Sequence, residues 1–207
     1  MRYRVPQLPP GTWHIDEVEV EKSRFIAWIA HTPEVDAAEA LTKAARQAHP
    51  NASHHCLAYI AGAPGEQLRI GFSDDGEPGG TAGRPMFQAL QGSQLGEVGC
   101  MVIRYFGGTK LGTGGLARAY AQAVNKALDT LETREVIQRV HYRVCFSFAD
   151  ESIARGWCEE QAIPVVNAEY DGKGVTLTIG WPSDWALDLT PLESRLKQSI
   201  PAQAINT

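Results

Sequence analysis

The sequence predicts an α+β protein made of two domains, and three observations support this prediction. The chain has 207 residues, enough for two separate hydrophobic cores. Its composition, 43% apolar and 21% charged, is typical of a globular protein. Strand-like and helix-like patterns are interspersed, and a new series of them begins after the polar stretch Arg134 to Arg139. We therefore expect domains at residues 1–134 and 139–207.

The first domain is predicted to begin with two strands and a helix. The strands, His14 to Val20 and Ser23 to His31, follow a proline-rich lead-in. Pro33 to His49 predicts a helix, because apolar side chains recur there at helical spacing and proline suits a first turn.

The rest of this domain is predicted to hold a strand pair, a short helix, a central strand and a long helix. The central strand is apolar along nearly its whole length, which predicts that both of its faces are covered. In chain order these elements are Cys56 to Ala61, Leu68 to Phe72, Thr81 or Arg84 to Gln91, Val98 to Phe106, and Gly114 to Leu131.

The second domain shows a β-α-β-β-α pattern, which is typical of a ferredoxin-like fold. Its elements are Val140 to Phe148, Asp150 to Gln161, Val165 to Asp171, Val175 to Gly180, and Leu189 to Ser199.

The glycine-rich stretch after the central strand carries the strongest functional signal. A glycine-rich turn that leads into a helix directs unpaired N–H groups at one point, where the helix dipole also favours an anion. The segment Val98 to Leu128 contains four basic residues and no Asp or Glu. Its glycine spacing matches neither a Walker A loop nor a dinucleotide-binding motif. We predict a phosphate or nucleic-acid site formed by Arg104, Tyr105, Gly107, Gly108, Thr109, Lys110, Gly112, Thr113, Gly114, Gly115 and Arg118.

Two interpretations of this stretch stay open. In the first, Arg104 leaves the strand end and binds a phosphate with two hydrogen bonds, while Lys110 adds a mobile charge. In the second, the segment is a tight turn that needs its glycines for steric reasons only.

A second polar group, which we treat as a candidate cleft, comprises Asp74, Asp75, Glu77, Thr81, His54 and His55. Its carboxylates could hold a metal or act as a base. We favour a solvated turn in which Thr81, or a carboxylate upstream of it, caps the short helix. The two histidines are expected to be structural. We find no nucleophile–base pair, and we predict no catalytic residue, no metal ligand and no cofactor.

Charge and cysteine content narrow the function classes. The net charge of −5 argues against a protein coated with basic residues, so phosphate recognition would be local. The four cysteines form no Cys-x-x-Cys pair, which gives no sign of a zinc site. There is neither a signal-peptide pattern nor a membrane-length apolar run. We expect a cytoplasmic protein with no membrane partner.

Three segments carry a family resemblance that extends over essentially the whole chain. HHCLAYIAG, SDDGEPGGTAGRP and VIRYFGGTKLGTGGLARAY are similar to motifs of the IMPACT/YigZ family. The resemblance implies an N-terminal IMPACT domain, a βαβ sandwich like a ribosomal-protein domain and domain IV of elongation factor G. It also implies a ferredoxin-like C-terminal domain similar to domain V of that factor. One departure is Gly79, where the family pattern has Ser.

The resemblance also bears on function. Eukaryotic relatives resemble translational regulators that restrain an amino-acid-starvation kinase pathway through an additional N-terminal domain. We do not expect that partnership here, because the IMPACT-like segment begins within the first thirty residues. Bacterial members share the architecture without an assigned biochemical role.

Three functions follow from these observations. We favour a non-enzymatic binder of RNA or the ribosome, with a role in translation or its regulation, acting through the glycine-rich loop. The alternative is an Mg²⁺-dependent enzyme for a small phosphorylated substrate or nucleotide, with Asp74, Asp75 or Glu77 holding the metal or a proton. A third option is a protein-binding module that uses an exposed apolar patch.

Overall fold

A computed structural model describes residues 1–205 and divides them into two compact units. The larger unit is Tyr3–Val136, and the smaller one contains residues 1–2 and 137–205. The α+β class and the two-domain architecture are confirmed.

The part of the chain up to Ile137 contains ten elements, seven strands and three helices. Five of the strands form one antiparallel sheet in the order β2-β3-β6-β4-β5. The elements are β1 (Arg2–Pro6), β2 (His14–Val20), β3 (Ser23–His31), α1 (Val35–Ala48), β4 (His54–Ile60), β5 (Ile70–Ser73), α2 (Gly83–Gly92), β6 (Val98–Tyr105), α3 (Gly112–Asp129) and β7 (Thr133–Ile137).

Helices cover both faces of this sheet. Leu41 and Ala45 of α1 pack with Met101 on one face, and Tyr120 of α3 packs with Cys100 and the rest of the main core on the other. Seven of the eight residues of β6 are buried as a result. The prediction of a central strand covered on both sides is therefore confirmed.

Two turns position the site. Glu21 and Lys22 join β2 to β3, and both have positive φ values (49° and 67°), which is the geometry of a two-residue hairpin turn that follows the twist of the strands. The second turn is the loop between β6 and α3. It starts beside this hairpin, because a Cβ on Gly107 would overlap the backbone of Lys22.

The smaller unit has the ferredoxin-like topology that the sequence predicts. Its antiparallel sheet has the order β11-β8-β10-β9, with α4 and α5 packed on the core. The elements are β8 (Arg139–Phe146), α4 (Glu151–Glu160), β9 (Val165–Tyr170), β10 (Val175–Pro182), α5 (Thr190–Leu196) and β11 (Ala202–Ile205).

Three short strands have no counterpart among the predicted elements. β1 lies in the proline-rich lead-in, β7 overlaps the polar junction and β11 follows the last predicted helix. β1 and β7 pair with each other, and the Arg4 guanidinium donates a 2.7 Å hydrogen bond to the Thr133 hydroxyl. Pairing between such distant segments leaves no local pattern in the sequence, which is why these strands escape prediction.

Across residues 1–205, none of the helices is both long and apolar enough to cross a membrane.

Candidate functional site

A buried ion pair links the two polar loops that the sequence singles out. We call residues 73–83 the acidic loop and residues 106–115 the glycine loop. Glu77 of the acidic loop is 7% exposed and accepts a 2.5 Å hydrogen bond from Nη1 of Arg104, which is 5% exposed and lies near the end of β6. The Tyr120 hydroxyl of α3 donates to the same carboxylate oxygen at 2.8 Å. One carboxylate therefore connects the acidic loop, β6 and α3.

Arg104 is almost completely buried among the residues that the structure describes. Its Nη2 donates to the Ser23 hydroxyl at 3.4 Å, and its guanidinium lies over the rings of Phe25 (5.4 Å) and Phe106 (5.6 Å). A buried guanidinium requires an anion, and Glu77 supplies one. The structure thus places Arg104 in a fixed internal pair instead of at a solvent-facing phosphate site. In this position Arg104 holds the acidic loop and the glycine loop together.

The buried hydroxyl and thiol beside this pair are not activated. Tyr120 donates to Glu77, and the Cys56 thiol lies 3.3 Å from the Tyr120 hydroxyl. Burial raises the pKa of Cys56 to about 12, and burial together with the neighbouring thiol and carboxylate raises that of Tyr120. Neither side chain is ionised near neutral pH, so neither is a ready nucleophile or base.

Asp74 caps the short helix α2. Its carboxylate accepts hydrogen bonds from the backbone amides of Gly80 (2.8 Å), Ala82 (3.0 Å) and Gly83 (2.8 Å). Burial opposes ionisation of Asp74, but the three amides outweigh it and hold its pKa below the usual value. The capping interpretation is confirmed for this upstream carboxylate. The Thr81 hydroxyl donates instead to the Pro78 carbonyl at 2.7 Å.

Asp75 and the two histidines form a second set of internal contacts. The Asp75 carboxylate pairs with Arg46 at 2.5 Å and accepts from the His55 backbone amide at 2.6 Å. His55 Nε2 contacts the His49 carbonyl, and burial, assisted by Arg46, lowers the His55 pKa. His54 Nδ1 contacts the Asp75 carbonyl at 2.9 Å. The candidate cleft is therefore a set of satisfied polar contacts, as the structural interpretation of the histidines expects.

A metal centre is not assembled from these groups. Across the residues that the structure describes, no cluster of three or more His, Cys, Asp or Glu is arranged to hold a metal ion.

Three glycines of the glycine loop have an internal reason to be glycine. Gly107 approaches the Lys22 backbone too closely for a Cβ, and its amide donates to the Ser23 hydroxyl at 3.1 Å. Gly108 and Gly112 have φ values of +88° and +70°, a region that other residues rarely adopt. The steric interpretation thus accounts for these three positions.

Gly114 has no such reason. It lies inside α3, its φ is not positive, and a Cβ there would meet only Nη1 of Arg118, at 3.5 Å. Gly115 is intermediate, because a Cβ there would lie 3.1 Å from the Leu111 Cβ. Alanine would fit at position 114 and would favour the helix, by at most about 1 kcal/mol, the value for a helix interior. The glycine at this position is not explained by the fold of the chain.

The first turn of α3 is open to solvent and lies between two exposed basic residues, Lys110 and Arg118. Within the described part of the chain no side chain caps this helix, and its first-turn residues carry no acidic group. Lys110 and Arg118 are exposed, and within residues 1–205 neither has a hydrogen-bond or ion-pair partner; Thr109 and Thr113 are also exposed. The structure therefore brings together the loop residues from 107 to 115 and Arg118.

Tyr105 is turned away from this group, since its hydroxyl bonds to His49 Nδ1 at 2.9 Å.

Three residues of the site are absent from the predicted set. Ser23, Phe106 and Tyr120 reach it from β3, the glycine loop and α3. Ser23 and Tyr120 resemble ordinary core positions in sequence, because only the tertiary fold places their hydroxyls beside Arg104 and Glu77. Phe106 had a usable signal, namely an aromatic residue directly before two glycines.

Known proteins share both the sequence and the fold. The family model of the Impact N-terminal domain matches residues 21–128. An IMPACT family member of Haemophilus influenzae is 44% identical over 79% of this chain and 79% of its own length. The Escherichia coli IMPACT family member YigZ is 52% identical over 60% of this chain and 61% of its own length.

A solved crystal structure of a hypothetical protein superposes with a TM-score of 0.74 at 35% identity, over 99% of this chain and 98% of the other. The family match spans the acidic loop, the glycine loop and all but the last residue of α3, and the structural match spans both units. This chain belongs to the IMPACT family.

Proposed function

We propose that this protein is a non-enzymatic binder of RNA, free or in the ribosome, with a role in translation or its regulation. RNA phosphate would contact the glycine loop and the first turn of α3, where Lys110 and Arg118 are exposed. The resemblance of both domains to domains of a translation factor supports the choice of RNA as ligand.

Gly114 is the observation that carries this proposal. Gly92 and Gly156 are equally unconstrained in their helices, but Gly114 lies in a first turn beside an exposed guanidinium, where the missing side chain leaves room for close approach of something outside the chain. The uncapped amides and the positive end of the helix dipole favour an anion at that point. Arg118 adds a full charge there, since its guanidinium lies beside Gly114.

The Mg²⁺-dependent enzyme finds less support in the geometry. Asp74 is occupied by three backbone amides, Asp75 by Arg46, and Glu77 by Arg104 and Tyr120. A metal would have to displace these partners, each of which already compensates a carboxylate charge.

The test measures binding of a fluorescently labelled RNA hairpin by anisotropy at several KCl concentrations. Affinity should fall with salt, because each neutralised phosphate releases counterions, and Lys110→Ala should reduce the log–log slope by about 0.7–0.9. The matched control is Lys43→Ala, which removes an exposed lysine of α1, on the other face of the sheet.

Gly114→Ala separates the ligand explanation from a structural one. It should raise the free energy of unfolding, by at most about 1 kcal/mol, and at the same time weaken RNA binding. The proposal is wrong if the hairpin does not bind, or if Lys110→Ala behaves like Lys43→Ala.

A further inference from the structure

We propose that the RNA taken by this site is unpaired, and that one of its bases stacks on Phe106. This inference rests on the proposed function and names the class of RNA. Its starting point is that Phe106, a large apolar side chain inside a basic loop, is 51% exposed.

The Phe106 ring is supported from within the protein. The Arg104 guanidinium lies over it at 5.6 Å, and Arg104 is itself held by Glu77 and by the ring of Phe25. The Phe106 backbone amide donates to the Ser53 hydroxyl at 3.2 Å. An aromatic ring that rests on a fixed cation and exposes half of its surface is ready to stack on another flat ring.

The position of the ring relative to the basic groups suits a nucleotide strand. Phe106 directly precedes Gly107 and Gly108, and Lys110 follows within four residues, a Cα distance of at most about 14 Å. The Lys22 backbone touches Gly107, which brings the hairpin turn to the same place. A base on Phe106 and the phosphates next to it can therefore belong to one short stretch of strand.

Duplex RNA does not offer this contact. The faces of its bases are already stacked on their neighbours, whereas unpaired bases can stack on aromatic side chains. Such stacking is tolerant of sequence, since every base has a π face. The chemistry thus favours single strands, loops or bulges of any sequence over a continuous helix.

The experiment compares two probes, a 12-nucleotide oligouridylate and a 12-base-pair RNA duplex, on the full chain. Stacking is worth about 1–3 kcal/mol per base, so Phe106→Leu should weaken oligouridylate binding at least about fivefold and duplex binding less than about twofold. Phe106→Trp should bind oligouridylate at least as tightly as the unmodified chain. Phe72→Leu is the matched control, because Phe72 is also 51% exposed but packs against Phe87.

The outcomes separate this inference from the proposed function. Stacking is overturned if Phe106→Leu leaves oligouridylate binding unchanged, or weakens both probes equally, while Lys110→Ala still weakens both. If Lys110→Ala also changes nothing, the phosphate site itself is wrong. Loss of oligouridylate binding in both Phe106→Leu and Phe106→Trp would show that the residue shapes the loop instead of stacking.

Discussion

The Glu77–Arg104 pair offers a sharp test of how the two loops are held together. Their side chains are 3% and 6% exposed, so removal of either partner leaves a charge in a nearly dry environment. Breaking a buried ion pair in this way costs about 3–5 kcal/mol. We expect Glu77→Gln and Arg104→Met each to destabilise the larger unit by that amount.

The double variant should behave differently from the sum of the single ones. With both charges gone, no unpaired ion remains, and Met at position 104 can still contact the ring of Phe25. Each single variant contains the penalty for one orphaned charge, which the double variant lacks. We therefore expect the double variant to be more stable than additivity predicts by about 2 kcal/mol or more.

Hydrogen exchange followed by mass spectrometry suits this measurement, because it reports the stability of one unit without the other. The slowest amides of β6 exchange through large-scale opening of the larger unit. A loss of about 3–5 kcal/mol should speed them by two to three and a half orders of magnitude. Arg24→Met is the control: Arg24 is exposed, its partner Glu17 is only partly buried, and β6 exchange should not change.

The reasoning is refuted if Arg104→Met affects β6 no more than Arg24→Met does. It is also refuted if the free energy of unfolding lost by the double variant equals the sum of the two single losses. The two side chains would then have no interaction energy with each other.

Two further predictions concern single groups. Asp74→Ala should destabilise the larger unit by about 1–2 kcal/mol through the lost cap of α2, as seen by urea unfolding at pH 7. The folded-state pKa of Asp74 is depressed, so its contribution to stability is present above about pH 4 and is lost as the pH falls below that. The stability of the Asp74→Ala variant should therefore depend less on pH in acid. A pH dependence equal to that of the unmodified chain would contradict the cap. For the thiols, Ellman's reagent should modify one cysteine of the native chain, the exposed Cys145, and four after denaturation. The other three are buried, and burial raises the pKa of Cys56 to about 12, that of Cys158 to about 11, and that of Cys100 as well. Cys145→Ser should abolish the fast reaction, and a second fast thiol would disprove the burial of the other three.

Local pattern was enough to predict most of the fold. The apolar run in Val98 to Phe106 predicted a central strand, and the helical spacing after Pro33 predicted α1, which begins two residues later at Val35. The strands that escaped prediction, such as Arg2–Pro6, gain their hydrogen bonds from distant partners. Their own residues are ordinary loop residues, so the decisive information lies in another part of the chain.

The backbone of the candidate site could be predicted from the sequence, but the pairing of its charged side chains could not. A glycine-rich turn before a helix predicts backbone amides without a partner, whatever surrounds it. Within the described residues, α3 does begin without a side-chain cap. The pairing of Arg104 with Glu77 joins residues 27 positions apart and depends on how α2 and β6 pack. No spacing rule links such positions, so Arg104 looked free in the sequence although it is enclosed in the fold.

The number of unpaired basic residues in the glycine-rich segment limits how strongly salt can affect RNA binding there. The segment Val98 to Leu128 holds four cations, but Arg104 is neutralised by Glu77, and the Lys126 ammonium lies 2.9 Å from an Asp16 carboxylate oxygen. Two remain, Lys110 and Arg118. If they are the phosphate contacts, their combined share of the salt slope is about 1.4–1.8. A measured slope well above this value would require basic residues other than Lys110 and Arg118. A slope near zero in the presence of binding would mean that the loop contacts something other than phosphate.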